Sequence, residues 1–368
     1  MRRRLLCTAA AVLLLSSCSV GDIRQTPRRP AASPTAAVVP PRASYQHRAD
    51  EVREAKVPVP SDFSRISVQF EDAGHGYALY TRCGTSGTAG LGQASCTAAL
   101  MVTTDGGRSW NGIPHPEAIA VNHQMFVGAG RVVLLAEPHA WYLSEDRART
   151  FAKHPWDPSL SDPYAAVDER FQVCCFRDGG RLAEWVGDRA RETIVQPPVP
   201  GLRAVASRGS TIYAAGLSDG GLRAAISFDA GKTWRRPPVA GDSTGMESAG
   251  ILVSHDGTDV WLIAQRGRVP HLWRYDQVGW RPVASLGAPG GPIDAVALGG
   301  GVVLTIGPWG PGLLKEGTYR KADWPVGSIS LRLLTDGSLF GDDGANTWLG
   351  VGTGEERRWI KIVLEPVM

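Results

Sequence analysis

The sequence predicts an all-β fold, a closed β-propeller most simply built of seven four-stranded blades. Three observations carry this reading. Long helical periodicity is missing, and short β-rich runs alternate with Gly, Asp and Asn turns throughout. An aromatic recurs at one point of a repeat of roughly 40–50 residues, the length of a propeller blade. It stands at Trp110, Phe151, Trp234, Trp280, Trp324 and Trp359, and the wider gap after Phe151 leaves room for a repeat ending near Ile194. Six or eight blades also fit the length.

Taken in chain order, residues 1–17 read as an export signal. Arg2, Arg3 and Arg4 precede an apolar run from Leu5 to Leu15 and then Ser16-Ser17, the basic, apolar and small-residue order of secretory signals. The run is short for a helix crossing a ~30 Å hydrocarbon core. Leu15-Ser16-Ser17-Cys18 resembles the bacterial lipobox, which implies a diacylated Cys18 at the mature N-terminus; the alternative is an ordinary cleaved signal that contains a cysteine. Residues 18–62 carry Pro27, Pro30, Pro34, Pro40 and Pro41 among Ala, Ser, Thr and Arg. With little there to bury, this stretch reads as a semi-extended tether. The propeller is assigned to 63–368, held by the lipid at the cell envelope on the outer side of the cytoplasmic membrane. The formal charge is +3, and without the three signal arginines 36 acidic residues are balanced one for one. No block of like charge follows, so nucleic acid is not an expected partner.

Three blades can be read strand by strand. The first runs Ile66–Phe70, Tyr77–Arg82, Ala98–Thr103 and Ser109–Ile113; the fourth Leu202–Ser207, Thr211–Ala215, Leu222–Phe228 and Thr233–Arg236; the fifth Gly250–Ser254, Asp259–Ala264, His271–Tyr275 and Gly279–Val283. Thr103-Thr104-Asp105-Gly106-Gly107-Arg108-Ser109-Trp110 recurs as Ser227-Phe228-Asp229-Ala230-Gly231-Lys232-Thr233-Trp234. Ser144-Glu145-Asp146-Arg147-Ala148-Arg149-Thr150-Phe151 is a weaker copy, with Ala148 in the glycine position. These copies match the Asp-box (BNR) motif of sialidases and of photosystem II stability/assembly factor-like propellers. The motif makes physical sense as a turn between antiparallel strands. The Asp carboxylate accepts turn N–H groups, Gly permits positive φ, and the aromatic packs under the sheet. Asp105, Asp146 and Asp229, with Gly107, Gly231, Trp110 and Trp234, are therefore structural, and no metal site or cofactor is expected. Phe70-Glu71-Asp72-Ala73-Gly74-His75-Gly76-Tyr77 before the first Asp-box is similar to the assembly-factor group, which implies a protein-binding or assembly role.

Enzyme motifs are sparse. There is no Gly-x-Ser-x-Gly elbow, His-Glu-x-x-His, phosphate loop or EF-hand loop. A sialidase needs an arginine triad, a Tyr–Glu nucleophile pair and an Asp acid/base; Phe63-Ser64-Arg65-Ile66 resembles that family's opening imperfectly, and Arg65 would be its essential residue. No catalytic residue is otherwise assigned. Of the cysteines left for an oxidising compartment, Cys83 and Cys96 pair most simply with one another; Cys174 and Cys175 form either a strained vicinal bond or two free thiols. Binding is expected on the face away from the Asp-boxes, where Arg177, Arg266, Arg268 and Trp309 lie in loops joining second and third strands. The partner expected there is a protein or glycan, with a sialidase-like glycan hydrolase as the alternative function. Replacing Cys18 by Ala should release the protein from the membrane fraction or leave its signal uncleaved; unchanged processing and retention would refute lipidation.

Overall fold

The computed structural model describes residues 52–84, 95–156, 169–174, 180–186, 189–218, 221–284, 294–307, 310–326, 330–343 and 346–367. The chain divides into two units, residues 1–44 and 45–368, and every described residue belongs to the second. Cys18, Cys175, Arg177 and Trp309 lie outside the described residues.

The described strands form seven sheets, the seven blades of a propeller. β1 (Arg53–Pro60) comes first in sequence and belongs to the last blade. Blade 1 contains β2 (Arg65–Phe70), β3 (Gly76–Gly84), β4 (Ser95–Thr103) and β5 (Asn111–Ile113), with β6 (Ile119–Ala120) beside β4. Blade 2 contains β7 (Asn122–Gly128), β8 (Arg131–Glu137), β9 (Ala140–Ser144) and β10 (Ala152–Pro155). Blade 3 contains β11 (Phe171–Cys174), β12 (Arg181–Val186) and β13 (Arg189–Glu192). Blade 4 contains β14 (Leu202–Arg208), β15 (Thr211–Ser218) and β16 (Gly221–Ser227), and its fourth place is filled by an Ile226–Arg235 bridge. Blade 5 contains β17 (Ser248–Val253), β18 (Val260–Arg266), β19 (Val269–Tyr275) and β20 (Trp280–Val283). Blade 6 contains β21 (Asp294–Gly299), β22 (Val302–Gly307), β23 (Gly310–Lys315) and β24 (Thr318–Lys321). Blade 7 contains β25 (Ser330–Leu333), β26 (Leu339–Asp342), β27 (Thr347–Val351) and β28 (Arg358–Val367), to which β1 adds as a fifth strand.

Blades stack face to face, so their middle strands are buried on both sides. Val132–Ala136 in β8 and Val302–Ile306 in β22 are unbroken buried runs, unlike the alternating pattern of a half-solvated sheet. Apolar clusters fill the junctions between blades. Tyr77, Leu100, Leu134 and Tyr142 join blades 1 and 2. Phe171, Leu182, Leu202 and Ile212 join blades 3 and 4, and Tyr213, Ile226, Leu262 and Trp273 join blades 4 and 5. The repeat aromatics serve this packing: Trp280 and Trp359 are fully buried, Trp110 and Trp234 pack partly buried against their neighbours.

The structure moves one boundary. β1 lies inside the stretch read from sequence as tether, and pairs in parallel with β28 from Arg53↔Ile360 to Pro60↔Val367. Ala55, Val57 and Val59 are buried against Phe70 and Tyr80 of blade 1 and Ile360 and Ile362 of blade 7. Pro58 and Pro60 alternate with them, and their missing N–H groups are tolerated because β1 is an edge strand. The Pro58 carbonyl instead accepts the Tyr80 hydroxyl at 2.8 Å. The folded unit therefore begins about ten residues before Phe63.

Val57 is wholly buried, so Val57→Ala should cost about 2 kcal/mol at roughly 0.8 kcal/mol per buried methylene plus incomplete collapse of the space left. Urea unfolding checks this; an unchanged midpoint would make β1 peripheral to the fold.

Candidate functional site

The direction of the strands defines two faces. In blades 1, 2 and 4 the turn read from sequence as an Asp-box lies at the end of the ring where the first strand finishes and the second begins. The opposite end carries the hairpin loops between second and third strands and the connections between blades.

On the first face the three Asp-boxes repeat one set of bonds. The Thr103, Ser144 and Ser227 hydroxyls each donate to the Asp two residues on, all at 2.8 Å. Each also accepts the backbone N–H four residues on, from Gly107 at 2.9 Å and from Ala148 and Gly231 at 2.8 Å. The Asp Oδ2 atoms of Asp105, Asp146 and Asp229 accept the Ser109, Thr150 and Thr233 hydroxyls at 2.7, 2.6 and 2.6 Å. These hydroxyl bonds, with the backbone N–H of the same residues, hold Asp146 and Asp229 at about 2 and Asp105 further below the usual carboxylate range. Two successive residues in each turn take positive φ: Gly106 and Gly107, Arg147 and Ala148, Ala230 and Gly231. Ala148 adopts 63° without being glycine because Ser144 and Asp146 hold the backbone on either side. The carboxylate oxygens are thus committed to the turn. The buried first hydroxyl was the part of the motif that the sequence reading passed over.

On the opposite face two clefts flank β2. One of about 470 Å³ separates blades 7 and 1, lined by Ile66, Val68, Leu331, Phe340, Asp342 and Thr347 among others. The other, about 280 Å³, separates blades 1 and 2, and its lining includes Arg65, Thr81, Asn122, His123, Gln124 and Phe126. Ile66 and Ser67 line both, so β2 is a shared wall between them. The Cys83–Cys96 disulfide closes the rim of the second cleft; the two cysteines are cross-strand partners of β3 and β4, as the sequence suggested. Side chains brace the walls from below. Gln69 donates to the Met125 carbonyl at 2.7 Å and accepts the Val127 N–H at 3.0 Å. Arg332 donates to the carbonyls of Val127 at 3.0 Å and Phe70 at 2.8 Å. None of these cleft residues except Arg65 and the two cysteines was singled out from sequence. Each is an ordinary strand residue whose placement follows only from closure of the ring.

A histidine pair reaches from the lining of the second cleft, at His123, to His115 behind it. His115 and His123 meet edge to face, with ring centroids 5.0 Å apart. His123 Nε2 lies 3.3 Å from the Cys96 carbonyl, and His115 Nδ1 accepts the Glu117 N–H at 3.1 Å. Burial first, then the neighbouring His123, pushes His115 down to about 4; burial likewise lowers His123. Glu117 also accepts the Tyr142 hydroxyl at 3.1 Å, a Tyr–Glu pair of the kind a sialidase uses. Burial and that bond push the Tyr142 phenol up to about 12, opposite to what a nucleophile requires, and neither residue lines the cleft that holds Arg65.

Of the expected binding residues, Arg266 and Arg268 lie on the hairpin between β18 and β19, on the cleft face but in blade 5. Arg266 is paired with Asp242 at 3.0 Å, and Arg268 is exposed. Among the described residues they do not join the clefts.

Two consequences are measurable. Ser227 is buried, so Ser227→Ala should cost about 1–3 kcal/mol by leaving the buried Gly231 N–H without an acceptor; a change under half of that would show that Asp229 alone shapes the turn. The histidine pair sets a pH dependence. Both folded-state values lie below the ordinary imidazole value, so the unfolded chain takes up protons first as pH falls. Stability held above about 6.5 should decline towards 4, and His115→Gln should flatten that decline. Urea midpoints at stepped pH decide it, because the Asp-boxes titrate only below the carboxylate value near 4.

No family model matches the chain, and no curated protein matches it. Solved propellers do. YCF48 bound to D1 peptide is 16% identical, with 84% of this chain and 96% of that one covered at a TM-score of 0.40. YCF48 from Cyanidioschyzon merolae is 15% identical, covering 83% and 97% at 0.44. Apo AztD from Citrobacter koseri is 12% identical, covering 82% and 86% at 0.39.

Proposed function

We propose that this protein is an exported, lipid-tethered binding or assembly scaffold at the cell envelope, and that its partner is a protein segment seated across β2 on the cleft face. The observation that carries this is the pair of clefts sharing Ile66 and Ser67 as a wall. Together they give one groove over three blades that are laced to each other. Its lining mixes apolar groups (Ile66, Val68, Leu331, Phe340, Phe126) with hydrogen-bonding ones (Ser67, Asn122, Gln124, Thr347), the composition of a protein interface rather than of a closed reaction chamber. Near-neutral mature charge leaves contact quality to set affinity.

A glycan-hydrolysing reading draws on Arg65, which opens the cleft between blades 1 and 2. It lacks a matching nucleophile there, since the Tyr142 phenol is held protonated and outside the lining.

The test is Ser67→Trp, which places an indole in the shared wall. Capture of envelope proteins should fall at least tenfold while circular dichroism and melting stay those of the parent, a loss on the scale of an interface hot spot. Undiminished capture by the folded variant would remove the groove from the reading. Turnover of a fluorogenic sialoside, abolished by Arg65→Ala, would replace it with the hydrolase.

A further inference from the structure

The chain enters the propeller on the Asp-box face. β28 starts beside the β27–β28 turn on that face and β1 runs parallel to it, so Arg53 is the Asp-box end of β1 and Pro60 the cleft end. Arg53 Nη2 donates to the carbonyl of Gly106 in the first Asp-box at 3.4 Å. Ala55 sits so close that a Cβ on Gly107 would come within 3.1 Å of it. Around this entry point stand three arginines. Arg108 is exposed next to Gly107, and Arg358 is exposed at the start of β28, two residues before Ile360, the register partner of Arg53. Arg108 and Arg358 lie near enough to repel the Arg53 guanidinium, and burial and that repulsion lower its affinity for its proton. The acidic group that acts on Arg53 is Asp105, whose oxygens are held by Thr103, Arg108 N–H and Ser109. None of the three arginines forms an ion pair with a described residue.

We propose that Arg53, Arg108 and Arg358 form the surface on which the propeller meets the anionic phospholipid headgroups of its own membrane. This rests on the lipid-anchor reading and deepens it. Guanidinium groups match phosphate oxygens in charge and geometry, and an open patch suits a headgroup layer better than a single small anion. Position favours the bilayer over other polyanions. The 34 residues between Cys18 and Arg53 can reach no further than roughly 120 Å at full extension, so an anchored propeller samples the bilayer at high effective concentration and weak contacts suffice. The patch lies where that chain leaves the fold, and docking there turns the clefts outward.

The experiment uses residues 18–368 carrying Cys18→Ala, so that no lipid contributes, with vesicles of 70% phosphatidylcholine and 30% phosphatidylglycerol. The protein should co-sediment with these vesicles, less with phosphatidylcholine alone, and less as salt rises. Each arginine should contribute about fivefold to partition. Arg108→Gln/Arg358→Gln, which leaves the Arg53–Gly106 bond intact, should therefore lose about 25-fold with an unchanged melting temperature. Arg203→Gln/Arg223→Gln, at the other end of blade 4, should lose little. Equal loss in both double variants would assign binding to overall charge or to the tether arginines and overturn the proposal. So would equal binding to neutral vesicles, no binding by the parent, or displacement by millimolar inorganic phosphate at constant ionic strength, which would mark a discrete anion site. Lipidation itself is read separately, from fractionation of the Cys18→Ala protein in cells, so either idea can fail alone.

Discussion

Closure of the ring between blades 7 and 1 is the constraint on which the rest depends. Every blade buries both faces against neighbours, and the first and last blades find each other only if the chain ends are joined. β1 makes that join by carrying the start of the fold onto the last strand of the last blade. Its three inward residues fill the space between Phe70 and Tyr80 on one side and Ile360 and Ile362 on the other. Polar bonds reinforce it. Arg332 of blade 7 reaches carbonyls of blades 1 and 2 while lying 5.6 Å over the Phe340 ring. The Glu71 carbonyl accepts Thr335 Oγ1 at 3.0 Å, and its carboxylate accepts the Gly130 N–H at 3.0 Å and Arg147 at 3.2 Å. Blades 7, 1 and 2 are thus bonded to one another around the walls of the clefts that flank β2. Such walls place binding groups without first ordering a loop.

The turns show one physical problem solved with two polarities. A tight reversal leaves backbone groups pointing inward that must find partners. In the Asp-boxes the inward groups are N–H, and a hydroxyl and a carboxylate accept them. Between β27 and β28 there is no Asp-box, and the inward groups are carbonyls. There the buried Arg357 donates to Gly337 at 2.8 Å, Gly350 at 3.2 Å and Gly352 at 2.7 Å, with Nε on Gly354 at 3.1 Å. Burial brings its guanidinium down to about 10 against the opposing pull of the Asp336 carboxylate, and the carbonyl bonds offset part of the cost of desolvating the charge. Blade 7, one of the blades that lack the motif, is therefore not a degenerate copy of the others. It is the blade that also receives β1.

Much of the architecture was legible because the repeat is local. Strands of blades 1, 4 and 5 follow from turn residues and alternating apolar positions, which need no tertiary information. β5 starts at Asn111 rather than Ser109 because the Asp-box turn holds the backbone as far as Ser109. β1 was not legible. Val57-Pro58-Val59-Pro60 reads as tether, since its pairing partner lies about 300 residues away and proline argues against a strand except at an edge. The clefts were invisible for the same reason. Ser67, Gln124 and Thr347 carry no motif, and only ring closure brings their strands to one face. Arg266 looked available in sequence because its partner, Asp242, stands in a different connection of the same face.

The two faces consequently differ in how much freedom their residues have. On the Asp-box face each hydroxyl, carboxylate and left-handed residue is tied to the turn, so a substitution there is read first as stability. At the clefts the backbone is fixed by Gln69 and Arg332 from within, while Ser67, Gln124 and Phe126 face the space itself. A scaffold of this kind separates the two demands. The repeated turns hold the ring, and the surface that does not repeat is released from that demand. Arg53 links the halves of that division, because the strand that closes the ring also starts on the Asp-box face. A propeller anchored through that strand would present its groove away from the point of attachment without any further device.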